Sequence, residues 1–123
     1  MPKKVFIIDD ADFMVDMLRV IMQDAGYEVV GVALNGEQAL ESIRALPLSK
    51  WPDIVTLDYH MPKLDGVEAV KKIHALDPGV KIVLISSNAT LSVVMKAKDA
   101  GVDAFIAKPF EPQTVLDAIA KFE

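Results

Sequence analysis

Five short apolar runs alternate with five amphipathic helical patterns, and this alternation limits the fold more than any other feature. The apolar runs cover residues 5–8, 27–33, 54–58, 81–85 and 104–107. The helical patterns cover residues 12–25, two stretches that begin after Asn35 and Asp65, residues 91–100 and residues 113–121. Strands that alternate with helices form a parallel sheet with helices on both faces. We therefore predict one α/β domain of three layers over residues 1–123.

The spacing of apolar side chains also predicts which face of each helix packs on the sheet. For the first helix the predicted inner residues are Met14, Leu18, Ile21 and Ala25. For the later helices they are Ala39, Ile43, Leu46, Val70, Ile73, Leu116 and Ile119. Asn35 and Asp65 are predicted to cap their helices, with Gln38 and Glu68 three residues on.

Charge and composition exclude several classes of function. The net charge is −5 without a basic patch, which disfavours direct contact with nucleic acid or an anionic membrane. The chain has no cysteine, hence no disulfide and no thiolate chemistry. We expect no signal peptide and no membrane insertion, because every apolar run is too short for either. We expect a cytoplasmic protein, with which the lack of cysteine is compatible.

Polar residues with useful chemistry follow four of the five predicted strands. They are Asp9 and Asp10, Asp58, Ser86 and Ser87, and Lys108. The carboxyl ends of parallel strands meet at one edge of a sheet, where ligands of open α/β sheets bind. These four segments are therefore predicted to assemble one site, with Asp58 at the end of the central strand.

Three carboxylates that converge on one point repel each other unless a cation lies among them. Hard oxygen ligands favour Mg²⁺, which binds a few carboxylates and keeps waters that a phosphate can displace. Lys108 supplies a second positive charge and Ser86 a hydroxyl for a phosphoryl oxygen. A carboxylate is also a nucleophile that forms acyl phosphates, so the pattern predicts phosphoryl transfer to Asp58.

Blander interpretations of the same residues stay open at this stage. Asp9 and Asp10 are also compatible with a helix N-cap, Lys108 with a solvated lysine, and Ser86 with a simple loop hydroxyl. The His60 imidazole is not interpreted as a metal ligand, because no second histidine or cysteine accompanies it at ligand spacing.

The motifs resemble those of receiver domains of two-component response regulators, most closely the stand-alone, chemotaxis-type CheY-like proteins. They are Ile7-Ile8-Asp9-Asp10, Leu57-Asp58-Tyr59-His60-Met61-Pro62, Leu64-Asp65-Gly66, Ile85-Ser86-Ser87 and Lys108-Pro109-Phe110. The resemblance spans nearly the whole chain. It implies a flavodoxin-like fold with strand order 2-1-3-4-5.

The resemblance also implies a role for each site residue. Asp58 would be the phospho-acceptor, and Lys108, joined to Pro109 by a cis peptide bond, would contact the phosphoryl group. Ser86 would move toward that group, and Phe105 would be the aromatic switch residue. The implied Mg²⁺ ligands are Asp9, Asp10, Asp58 and the backbone carbonyl of His60. The implied positions flanking the hydrolytic water are His60 and Asn88.

Implied partners are a sensor histidine kinase that donates from a phosphohistidine, and a downstream protein. The downstream protein would bind the surface of residues 91–100, 104–107 and 113–121. We expect a signalling protein rather than an enzyme, as a monomer or a weak phosphorylation-dependent dimer. The alternatives are a phosphorelay intermediate, an aspartyl-phosphate phosphatase, a degenerate interaction module and a flavin protein. The flavin hypothesis is disfavoured because no hydroxyl- or glycine-rich phosphate loop follows the first strand. A degenerate receiver would have lost an acid or the lysine, and this sequence has kept them.

Two features depart from the family pattern. Ser86 stands where Thr is common, and Ser87 replaces the usual small Ala or Gly and offers a competing hydroxyl. The loop of residues 47–52, which contains Trp51, is longer than usual. We expect this loop to lie far from Asp58, with Trp51 packed on the domain.

Overall fold

The structure is a computed structural model that describes residues 3–60 and 65–122, so the motif residues Met61, Pro62 and Leu64 lie outside the described residues. Its strands are β1 Lys4–Ile8, β2 Glu28–Ala33, β3 Ile54–Asp58, β4 Lys81–Ser86 and β5 Ala104–Ala107. Its helices are α1 Asp12–Asp24, α2 Gly36–Ala45, α3 Gly66–Leu76, α4 Leu91–Ala100 and α5 Pro112–Ala120. A short 3₁₀ turn, Leu48–Lys50, precedes β3.

The strands form one parallel sheet in the order β2-β1-β3-β4-β5. Helices α1 and α5 pack on one face, and α2, α3 and α4 pack on the other. This arrangement confirms the predicted flavodoxin-like fold. Every residue of β3 is buried, because this central strand is covered on both faces.

The inner face of α1 is rotated from the predicted one. Leu18 and Ile21 are buried as expected, but Met14 is only half-buried and Ala25 is exposed. The remaining buried residues of the helix are Val15 and Met22. Apolar residues cover most of the circumference of this helix, so their spacing does not fix which side faces the sheet.

Two smaller differences concern α2 and α5. In α5 the buried residues are Val115 and Ile119, whereas Leu116 is half-buried. Leu46 is the residue after α2 and is also half-buried. The other predicted inner positions of α2 and α3 are buried.

Side chains cap α2 and α3 as predicted, with one change. The Asn35 side chain accepts from the Gln38 amide at 2.8 Å, and Asp65 accepts from the Glu68 amide at 2.9 Å. The Gln38 side chain accepts from the Leu34 amide at 2.7 Å, one residue before Asn35, whose amide is the partner in a capping box.

Two aspartates tie the amino ends of the strands together. Asp53 accepts a hydrogen bond from the backbone N–H of Lys4 at 2.8 Å, which joins β3 to β1. Asp103 accepts from the backbone N–H of Ile82 at 2.9 Å, which joins β5 to β4. Both carboxylates also lie within 4.0 Å of a lysine ammonium. This edge is therefore cross-linked by polar contacts and lies opposite the edge where Asp58 ends β3.

The longer loop lies at the same amino edge, away from Asp58, as expected. The Trp51 indole packs against the core, and its Nε1–H donates to the Leu46 carbonyl at 3.1 Å. Trp51 thus anchors the loop on the domain.

Among the helices of residues 3–60 and 65–122, none has both the length and the apolar character needed to cross a membrane.

One buried hydroxyl in the middle of the sheet lacks a partner. Thr56 is fully buried in β3, and its Oγ1 has no hydrogen-bond partner in the described part of the chain. An unsatisfied buried hydroxyl costs roughly 1–3 kcal/mol, and valine has nearly the same shape. We therefore expect Thr56→Val to raise the free energy of unfolding by about 1 kcal/mol.

Urea denaturation measures this difference, with Thr114→Val on the exposed side of α5 as the control. The midpoint should rise for Thr56→Val at an unchanged m-value, and should stay nearly constant for Thr114→Val. A lower midpoint for Thr56→Val means that the hydroxyl makes a stabilising hydrogen bond.

Candidate functional site

Three carboxylates meet at the carboxyl edge of the sheet. Asp9 and Asp10 follow β1, and Asp58 ends the neighbouring strand β3. One carboxylate oxygen from each lies within 4.8 Å of the others. Asp9 and Asp58 are buried, whereas Asp10 is exposed at the rim. The predicted convergence of these acids is therefore present, with one side open to solvent.

The contacts of Asp9 decide between a site and a simple helix cap. Helix α1 begins after Ala11, which has no side-chain cap hydrogen bond. The Asp9 carboxylate instead accepts from the Ala11 amide at 3.0 Å, and its own amide donates to Ala33 in β2. Neither acid caps α1, so the helix-cap interpretation of this pair is wrong.

Lys108 bridges two of the acids from the end of β5. Its Nζ lies 3.3 Å from Asp9 Oδ2 and 3.4 Å from Asp58 Oδ1. Its side chain is 19% exposed, and its backbone N–H donates to the Ser86 carbonyl at 2.8 Å. The peptide bond to Pro109 is cis, as the resemblance implies. Lys108 is thus part of the site and not a solvated surface lysine.

The pKa of Asp58 is shifted by its surroundings. Burial, and after it the charge of Asp9, raises the pKa of the Asp58 carboxyl from 3.8 to about 6. Lys108 and the His60 amide act in the opposite direction and leave a net rise. The charge of Lys108 therefore does not fully offset the free-energy cost of ionising Asp58 in a buried position close to Asp9.

This donor set fits a hard divalent cation. One carboxylate oxygen from each of the three acids lies within 4.8 Å of the others, and a cation among them would offset the repulsion between Asp9 and Asp58 that contributes to the raised pKa of Asp58. Such oxygen ligands suit Mg²⁺, which keeps part of its water shell at an open rim. Asp9, Asp10 and Asp58 are the residues positioned to hold it.

The exposed position of Asp10 allows a direct test of this metal site. Asp10→Asn removes one charged ligand and leaves the buried core unchanged, so Mg²⁺ affinity should fall about tenfold or more. Asp12→Asn, at the exposed start of α1, is the matched control and should keep wild-type affinity. Isothermal titration calorimetry gives both values. Equal affinities for wild type and Asp10→Asn would contradict the assignment.

Ser86 ends β4 as a buried residue, and Ser87 after it is exposed. The Ser86 hydroxyl donates to the Asn88 carbonyl at 3.0 Å and accepts from the Asn88 amide at 2.9 Å. It is therefore held by the backbone of its own loop, which places a defined hydroxyl at the site edge. Asn88 is half-buried, and its predicted effect on hydrolysis stays a prediction.

His60 is exposed beside the acceptor. Its backbone N–H donates to Asp58 Oδ1 at 3.4 Å, and its ring packs edge-on against Tyr59 with centroids 4.7 Å apart. The imidazole thus contacts an aromatic ring. The roles of its carbonyl toward Mg²⁺ and of its side chain in hydrolysis stay predictions.

Phe105 lies next to β4 on the face that Ser86 shares. It pairs with Leu84 in the sheet register and packs, half-buried, against the core under α2, α3 and α4. Ser86 pairs with Ala107 in the sheet, and Phe105 lies two residues before Ala107. This position is compatible with a switch residue, a role that stays a prediction.

A backbone contact between Tyr59 and Gly66 was not predicted from the sequence. The Tyr59 backbone is held between β4 and the start of α3, and Gly66 makes the contact from α3. The sequence signal was the glycine directly after Asp65 in the motif Leu64-Asp65-Gly66, but that motif does not indicate a contact with Tyr59.

Comparisons with known proteins agree with this geometry. The sequence profile of the response regulator receiver domain matches residues 5–120. The chemotaxis protein CheY of Thermotoga maritima is 45% identical over 98% of both chains, and CheY of Bacillus subtilis is 40% identical over 98% of both. CheY of Borrelia burgdorferi, in a complex with CheX, BeF₃ and Mg²⁺, has a TM-score of 0.90 at 30% identity, over 98% of this chain and 89% of that one. This chain therefore belongs to the response regulator receiver domain family.

Proposed function

We propose that this receiver takes a phosphoryl group on Asp58 from a phosphohistidine of a sensor histidine kinase. The observation that carries the proposal is the contact of Lys108 Nζ with Asp58 at 3.4 Å inside a cluster of three acids. A cation beside a buried carboxylate suits a group that must first act as a nucleophile and then hold a dianionic phosphoryl group. The family match over residues 5–120 supports a receiver domain across this span, and the CheY relatives at 45% and 40% identity support a place in chemotaxis.

The chain's own residues account for the transfer. An Asp58 carboxylate oxygen attacks phosphorus, the P–N bond to the donor histidine breaks, and the histidine leaves with the bonding electron pair and takes a proton. Lys108, which lies beside Asp58, would contact one phosphoryl oxygen, and Ser86, the residue after the one that pairs with Asp58, would turn toward another. Mg²⁺ held by the acids would offset the negative charge on the transferring group.

A phosphatase is the less favoured reading of the same site. Aspartyl-phosphate phosphatases need a general acid two residues after the nucleophile, and His60 occupies that position. The His60 ring packs on Tyr59, and family membership favours a signalling protein that holds its phosphoryl group.

Because the kinase's phosphoryl group originates from ATP, we propose that the protein is located in the cytoplasm.

The output surface is proposed to be α4, β5 and α5. Leu91 and Met95 on α4 are 77% and 48% exposed, so this surface offers apolar contacts to a downstream protein. Ser86 and Phe105 lie on the same face of the sheet, beneath α4. Movement of Ser86 toward a phosphoryl oxygen breaks its contacts with Asn88 and opens space that Phe105 can enter.

Amide chemical shifts with and without beryllofluoride, a phosphoryl mimic, test this proposal. In wild type, shifts should change in the site loops and also in α4 and α5. In Ser86→Ala, the loop changes should persist while the helix changes shrink, because the hydroxyl that transmits the change is gone. Ser87→Ala, an exposed hydroxyl, is the control and should behave like wild type. Shifts confined to the loops in wild type would contradict the switch.

A further inference from the structure

Gly66 begins α3 in unusually close contact with the backbone of Tyr59. A Cβ built on Gly66 would lie 2.9 Å from Tyr59 Cα and 3.1 Å from the Tyr59 carbonyl oxygen. Carbon atoms pack at about 3.5–4.0 Å, so a methyl group there forces a displacement. The two nearest atoms are backbone atoms, which cannot rotate away as a side chain can, and the third is Cδ2 of the Tyr59 ring at 3.3 Å.

Tyr59 is held from two sides and leads directly to the acceptor. Its N–H donates to the Ile85 carbonyl in β4 at 2.9 Å, and its carbonyl accepts from Gly66 at 3.1 Å. The next N–H along the chain, that of His60, donates to Asp58 Oδ1 at 3.4 Å. A continuous set of backbone contacts therefore runs from the start of α3 to the Asp58 carboxylate.

We propose that Gly66 is a positioning residue for the Asp58 site, an inference that rests on the metal and acceptor roles proposed above. Its missing side chain lets α3 close on Tyr59, and this contact fixes the peptide that orients the Asp58 carboxylate. Backbone conformation does not explain the glycine, because positive φ angles occur at Gly26 and Gly101 and not at Gly66. Alanine also favours a helix more than glycine does, so α3 itself does not require it.

Gly66→Ala tests the proposal through Mg²⁺ affinity measured by calorimetry. We expect the dissociation constant to rise about tenfold or more, as when a group that orients a metal ligand is lost. The amide resonances of Tyr59 and His60 should shift in the same variant before any Mg²⁺ is added.

Gly31→Ala is the matched control. A Cβ at Gly31 would lie 2.5 Å from the Phe6 ring, so this variant also forces a methyl group into a tight contact, but in edge strand β2. We expect it to lower the melting temperature and to keep wild-type Mg²⁺ affinity. If Gly66→Ala is poorly folded, both variants are measured in trimethylamine N-oxide, which favours the folded state.

The outcomes separate the two proposals. Wild-type Mg²⁺ affinity in folded Gly66→Ala, or an equal loss in Gly31→Ala, overturns the positioning role alone. A wild-type protein that does not bind Mg²⁺ overturns the proposed metal site itself. A loss confined to Gly66→Ala supports the positioning role.

Discussion

Asp58→Asn should form no phosphoryl adduct when it is incubated with a small phosphodonor and Mg²⁺, under conditions in which the wild type gains the mass of one phosphoryl group. An amide oxygen is a far weaker nucleophile than a carboxylate, and the substitution also removes a charged metal ligand. Because both losses act on the same step, the expected effect is complete. Intact-mass spectrometry measures it.

Two controls make this result specific. Asp53→Asn changes the acid that precedes β3 at the opposite edge of the sheet and should be phosphorylated like wild type. Hydroxylamine cleaves an acyl phosphate but not a serine ester, so it distinguishes phosphorylation of Asp58 from that of Ser86 or Ser87. An adduct of unchanged yield in Asp58→Asn, or one that resists hydroxylamine in wild type, would rule out Asp58 as the acceptor.

The same substitution should stabilise the metal-free protein in a pH-dependent manner. The folded-state pKa of Asp58 is about 6, above its usual 3.8, so the folded state binds the proton more tightly than the unfolded state. Well below pH 3.8 both states are protonated, so the charge costs no stability there. As the pH rises through 6, wild type loses up to about 3 kcal/mol of stability, which the neutral asparagine does not lose.

Urea unfolding in EDTA across this pH range measures the effect. The advantage of Asp58→Asn over wild type should grow between about pH 4 and pH 6 and then level off. Asp99→Asn, an exposed acid of α4, controls for the loss of one negative charge. Saturating Mg²⁺ should reduce the advantage, because it stabilises the wild type by binding only the folded state. A difference that is constant with pH would contradict the charge argument.

The convergence of the site was predictable from sequence because it depends on topology. Asp9 and Lys108 directly follow apolar strands, and Asp58 is the last residue of one. The carboxyl ends of parallel strands share one edge of the sheet. The detailed contacts were not predictable. Which two acids Lys108 bridges depends on side-chain geometry, and the pKa of Asp58 depends on how deeply the edge is buried.

The errors have a similar origin. The face of α1 was misplaced because Val15 and Met22 are as apolar as the residues chosen, and only packing against α5 and the sheet selects among them. The contact of Gly66 with Tyr59 was not predicted, because Tyr59 lies seven residues earlier in sequence. Periodicity carries no information about a contact of that kind.

The carboxylates of Asp53 and Asp103 give the sheet a mechanical asymmetry. They join β3 to β1 and β5 to β4 at the amino edge by accepting from backbone N–H groups, whereas the carboxyl edge is joined through Lys108, the residue that contacts the acceptor. A change at Asp58 or Lys108 therefore acts on strands whose opposite ends are joined by side-chain contacts as well as by the backbone ladder. We therefore expect the loops that follow these strands, and the helices attached to them, to move more than the sheet when the site changes.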